Sequence, residues 1–78
     1  MKLEILTPEK KLFKGEVISV QVPGKSRRFE MLNNHMPIVS SLNKGTIKIT
    51  DTNNKTQEIK INSGVIELKN NSIIILAE

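Results

Sequence analysis

Apolar residues recur at every second position through most of this chain, and that rhythm restricts it to strands with one buried face. Leu3 and Ile5 form one such set, and Ile18, Val20 and Val22 another. Phe29 and Met31, Ile47 and Ile49, Ile59 and Ile61, and Ile66 and Leu68 repeat it, with charged or hydroxyl residues between many of them. A period of two sends successive side chains to opposite faces of a sheet. β-Branched residues are abundant, and no window carries a sustained helical stripe. Gly15, Pro23-Gly24, Asn33-Asn34, Asn43-Lys44-Gly45, Asn53-Asn54 and Asn70-Asn71 supply residues suited to turns or positive φ. Their close spacing predicts short, mostly antiparallel strands. Residues 73–76 are apolar without a break, which predicts a central strand covered on both faces. The expected fold is all-β, a small antiparallel β-sandwich or flattened barrel whose closure removes exposed edges. No linker, low-complexity segment or repeat divides residues 1–78, so a single domain is expected.

A domain of 78 residues buries only about 60% of the surface its unfolded chain exposes, which limits its stability without a partner. With no cysteine, neither disulfides nor a thiolate metal site can supplement the core. The longest apolar run, residues 73–77, falls far short of the roughly 20 residues that span a bilayer. The start, MKLEILTPEKK, lacks the apolar centre of a signal peptide. These features predict a soluble domain. Twelve Lys and Arg against eight Asp and Glu give a net charge of +4, compatible with an acidic partner, nucleic acid or anionic lipid.

Catalysis finds little support. His35 is the only histidine; it could serve Ser40 or Ser41, but no third group orients it. The carboxylates are scattered singly, and the four glycines stand too far apart to form a phosphate loop. One histidine without neighbours cannot form a metal site, so no cofactor is expected. His35 reads as a loop residue satisfied by a backbone hydrogen bond, or as part of a partner-facing loop. The run Lys25, Ser26, Arg27 and Arg28 reads either as a hydrophilic hairpin tip or as a contact, since guanidinium groups bind carboxylates and phosphates bidentately. Nucleic acid is a poor ligand for it. Single strands need aromatic platforms, and the chain offers only Phe13 and Phe29. Alternation places Phe29 with Met31, in the core.

Several segments, in order, resemble the N-terminal domain of the epsilon subunit of F-type ATP synthase, called delta in mitochondria. They are TPEKKLFKGEV from Thr7, Val22-Pro23-Gly24, FEMLNNHMP from Phe29, Leu42-Asn43-Lys44-Gly45, Ser63-Gly64-Val65-Ile66-Glu67-Leu68, and Ile75-Leu76-Ala77-Glu78. The resemblance covers essentially the whole chain. It implies a sandwich of about ten short strands in two sheets. It also implies a non-catalytic rotor subunit of the central stalk, joining the γ subunit to the polar loops of the c-ring so that proton or sodium flow drives ATP synthesis. Such a subunit lies peripherally on the cytoplasmic face of a bacterial plasma membrane. By position, the ring-facing candidates are Lys25, Ser26, Arg27, Arg28 and Glu30, with Asn34 and His35 expected near the same end. The γ-facing candidates are Thr7, Pro8, Ile38, Ser40 and Leu42. Many members carry glycines where this chain has Arg27 and Glu30, and Pro-Gly in place of Asn33-Asn34, so a more charged ring contact is expected. Many also continue into a C-terminal helical hairpin beyond the position of Glu78. Without it, neither hairpin-borne ATP binding nor self-inhibition is expected.

Overall fold

A computed structural model describes residues 1–78. Its eight strands are β1 (Lys2–Leu6), β2 (Lys11–Pro23), β3 (Arg28–Leu32), β4 (Ile38–Leu42), β5 (Gly45–Asp51), β6 (Thr56–Ile61), β7 (Gly64–Lys69) and β8 (Ser72–Ala77). They form one connected path, β4-β7-β8-β1-β2-β5-β6, with β3 on β2. The first half of β2 pairs with β1 in the sheet that also holds β4, β7 and β8. Its second half pairs with β3 and β5, and β5 with β6, in the other sheet. The molecule measures 27 × 24 × 18 Å. Its shortest dimension accommodates two sheets packed about 10 Å apart with their outer side chains.

The structure has eight strands where about ten are expected; β2 alone runs for 13 residues and serves both sheets, so its two halves would count as two short strands. Gly15 does not end it. That glycine pairs with Leu3 within the ladder, and the corner comes just after, where the pairing with β5 shifts register between Val17 and Ser19. Bulges of this kind let a strand bend from one sheet into another. The shift also changes which residues face inward. Val17, Val20 and Val22 are buried, whereas Ile18, expected with Val20 and Val22, is only half-buried.

Antiparallel pairing dominates, with one exception: β1 and β8 run parallel, Ile5 opposite Ile75. β8 is central, between β7 and β1, but its apolar run is not covered on both faces. Ile73, Ile75 and Ala77 are buried, while Ile74 and Leu76 are 42% and 56% exposed. The β7–β8 hairpin turns on Asn70 and Asn71, with φ of 53° and 61°, the paired positive values a two-residue hairpin favours. Sixteen apolar residues form a single core, and no buried residue is polar or charged. Phe13 and Phe29 pack against its margin. Apart from the Met1 ammonium, which donates to the Val17 carbonyl oxygen at 3.1 Å, the interior holds no charged group, so the candidate functional side chains are those at the surface.

Gly24 is required for space. A Cβ there would lie 2.5 Å from the Phe29 ring and 2.6 Å from the Arg27 carbonyl oxygen. Gly24→Ala should cost about 1–3 kcal/mol in urea unfolding, as overpacking does. At Gly15 the nearest atom would be 3.4 Å away, so Gly15→Ala should change stability by less than about 0.5 kcal/mol. Equal losses at the two sites would refute the steric account. The inward and outward halves of β8 are separable in the same way. Ile75→Ala should cost about 2–5 kcal/mol, and Ile74→Ala under about 1 kcal/mol because the side chain keeps much of its contact with water.

Candidate functional site

The outer faces of the two sheets differ in chemistry. On the sheet containing β8, one row runs Val39, Glu67, Ile74, Glu4 and Lys14 across β4, β7, β8, β1 and β2. The next runs Ser41, Val65, Leu76, Leu6 and Lys11. Val39 is 71% exposed and Val65 46%, so together with Ile74 and Leu76 they leave an apolar patch open to solvent. Isolated exposed apolar residues are ordinary, whereas Val65 and Leu76 are paired in register, with Ile74 the next outward residue along β8, a grouping of the kind found at interaction surfaces. Leu6, Thr7, Pro8, Ser41, Val65 and Leu76 line a shallow groove where this face meets the end of the sandwich. On the other sheet the corresponding row is Glu30, Gln21, Lys48 and Glu58. Charges of opposite sign alternate along it, as on a solvated face. Leu32 is its one large exposed apolar residue.

Alternation sorts the γ-facing candidates. Thr7 and Pro8 stand beside the apolar patch. Ile38, Ser40 and Leu42 share the inward face of β4, and Leu42 is only 4% exposed. Their neighbours Val39 and Ser41 are the residues β4 turns outward. Sequence reasoning missed Val39, Val65, Ile74 and Leu76. The available signal was that residues 73–76 lack a polar alternate, which means an apolar residue on each face of the strand.

The ring-facing candidates fall into two groups. Lys25, Ser26 and Arg27 occupy the β2–β3 turn and Arg28 opens β3, all exposed, with Glu30 exposed further along β3. The turn is fixed to the β4–β5 turn. Asn43 Nδ2 donates to the Lys25 carbonyl oxygen at 2.9 Å, the Asn43 amide donates to that of Pro23 at 2.8 Å, and Gly24 bridges Leu42. The side chains themselves are free of ion pairs. The two salt bridges join the Met1 ammonium to Glu16 and Lys11 to Glu4, and Arg28 Nε reaches Gln21 Oε1 only at 3.4 Å.

Asn34 and His35 are not at this end, contrary to expectation. The five residues of β3 separate them from the basic turn, roughly 16 Å at 3.3 Å per residue. Their loop is tied instead to the opposite end of the sandwich. The Met1 ammonium donates to Asn33 Oδ1 at 2.8 Å, and the Asn34 amide, at φ 63°, donates to Asn71 Oδ1 at 3.0 Å. His35 Nδ1 lies 2.7 Å from the Met36 carbonyl oxygen. Ser40 Oγ donates to the Ser41 carbonyl oxygen and makes no bond to His35. No group of three or more His, Asp or Glu residues is placed to hold a metal.

This architecture recurs in solved structures. The fold matches a chain of the Tetrahymena thermophila mitochondrial ATP synthase central stalk and c-ring with a TM-score of 0.83 at 16% identity, covering 99% of this chain and 62% of that one. It matches a chain of the Euglena gracilis mitochondrial ATP synthase with a TM-score of 0.90 at 17% identity, covering 96% and 48%. At such identities the likeness concerns the fold. Sequence relatives are nearer. The ATP synthase epsilon chain of Leptospira interrogans is 40% identical over 78 residues, all of this chain and 61% of the relative. That of Chlorobium limicola is 34% identical over 77 residues, covering 99% and 88%. The chain thus spans about three fifths of the Leptospira relative's length. The profile of the family described as "ATP synthase, Delta/Epsilon chain, beta-sandwich domain" matches residues 1–78, and the chain belongs to that family.

Proposed function

We propose that this domain is a non-catalytic rotor component of an ATP synthase, joining the γ subunit to the c-ring on the cytoplasmic face of the membrane. The observation that carries the reading is the asymmetry between the two outer faces. One sheet leaves Val39, Val65, Ile74 and Leu76 exposed, whereas the other is charged and hydroxylated. A domain that worked alone would gain nothing from that patch; a domain seated against another protein buries it. The γ subunit is assigned to the apolar face and the groove beside Thr7 and Pro8. The basic turn at residues 25–28 faces the polar loops of the c-ring, where uncommitted guanidinium groups meet carboxylate or carbonyl oxygens.

Transmission of torque needs a body that does not deform between its two contacts. A close-packed interior with low compressibility meets that need. No buried side chain is polar or charged, so the packing between the sheets is apolar throughout. Proton-driven and sodium-driven enzymes place the same demand on this part, since the ion ligands belong to other subunits.

Co-elution with recombinant γ subunit in size-exclusion chromatography is the direct test, and a stable complex is expected. Val39→Asp combined with Leu76→Asp should weaken it at least about tenfold, as loss of central apolar contacts does, while leaving the folded state intact. A well-folded γ that ignores the wild-type domain, or binds the double variant equally well, would overturn the assignment of this face. For the ring contact, Arg27→Glu with Arg28→Glu should reduce ATP-driven ion pumping in reconstituted enzyme without unfolding the domain. Unchanged pumping would remove those charges from the coupling path.

A further inference from the structure

The basic turn is one part of a larger cationic surface that sequence order conceals. Lys25, Arg27 and Arg28 belong to the β2–β3 turn and the start of β3, Lys44 to the β4–β5 turn and Lys60 to the end of β6. The fold brings all three places together. Asn43 holds Lys25 through its carbonyl oxygen, and Gly45 lies so close to Pro23 that a Cβ there would be 2.9 Å from the proline Cβ. Lys60 pairs with Thr46 in the β5–β6 ladder and lines one shallow dip with Lys44. All five cations are exposed. None is among the residues in the two salt bridges. The acids near this end are Glu30 and Glu58 in the adjoining row, where Gln21 and Lys48 lie between them in register, and Glu78, whose backbone bonds Asn62 and Ser63 beside the dip.

The geometry points to the acidic headgroup surface of a phospholipid bilayer as the partner of this end. The cations sit on turns and strand ends around an open dip, with no enclosed pocket to select a single small anion. A bilayer presents its phosphates as a flat, laterally mobile sheet that five spread charges can engage together, each contributing roughly fivefold in affinity near an anionic membrane. Nucleic acid would demand aromatic platforms for its bases, and neither Phe13 nor Phe29 offers one, both being packed on the core. The inference shares residues 25–28 with the ring contact proposed above but does not require it, because it concerns the charge of the domain itself. It adds Lys44 and Lys60, which that reading leaves unused.

The test is co-sedimentation of the chain with vesicles of phosphatidylcholine containing about 30% phosphatidylglycerol, against pure phosphatidylcholine, at low and at physiological salt. Binding to the anionic vesicles alone, weakening as salt rises, is expected. Lys44→Ala with Lys60→Ala should lower it about 20-fold, with circular dichroism confirming the fold. Lys2→Ala with Lys69→Ala, at the opposite end, should change it less than about twofold. Equal loss from the two pairs would reduce the effect to net charge and overturn the proposal. So would failure to bind anionic vesicles, or tighter binding to random single-stranded DNA than to vesicles. Displacement by inorganic phosphate beyond that of chloride at matched ionic strength would reveal a discrete phosphate site and refute the bilayer assignment. Because the readout uses neither γ nor c-ring, failure here leaves the rotor assignment standing, and the reverse also holds.

Discussion

The continuity of β2 around the corner after Glu16 is the constraint on which the rest of the molecule depends. A single strand contributes hydrogen bonds to both sheets, so neither sheet can shift without pulling on the other. The bulge between Val17 and Ser19 turns the strand and resets its alternation, placing Val17, Val20 and Val22 on the same side of a folded-over surface. That choice fixes what lies inside. It also fixes where β3 begins, and hence where the basic turn meets the turn between β4 and β5.

From the same corner follows the difference between the two outer faces. Once the inner faces close on sixteen apolar residues, the leftover apolar side chains face out, and four of the six large ones are on the sheet of β4, β7 and β8, with Leu32 on β3 and Met36 in the loop after it. The charged rows fall on the other sheet and at the ends. The domain thus has an apolar interior, one apolar wall and one basic turn, which are the features its proposed contacts use. The apolar wall and the basic turn share no residues, so substitutions in one should leave the other intact.

Much of this was legible in the residues, and the failures have physical causes. Alternation identified Leu3, Ile5, Met31, Ile47, Ile49, Ile66 and Leu68 as inward-facing, because a period of two survives wherever a ladder is regular. It failed at Ile18, where the bulge inserts a residue that no local pattern announces. The unbroken run at residues 73–76 predicts a strand covered on both faces, whereas Ile74 and Leu76 face solvent, because an apolar run gives the residues of both faces but not what lies over each. The family resemblance puts Asn34 and His35 near the basic turn, whereas the extended length of β3 carries them to the far end. The family resemblance gave the correct fold but not which side of β4 faces outward. Only register supplies that.

The parallel pairing of β1 with β8 has a consequence for how the chain acquires its structure. The domain's earliest strand takes its permanent neighbour from its latest, with Ile5 opposite Ile75 and nearly the whole sequence between them. Contacts this distant along the chain close large loops before any stabilisation is gained, which slows folding relative to locally connected folds. During synthesis β1 can pair with β2 on one edge while its other edge stays open until β8 has been made. The central position in the sheet is therefore the last to be filled, and a growing chain carries an unpaired apolar edge until translation has passed Ala77.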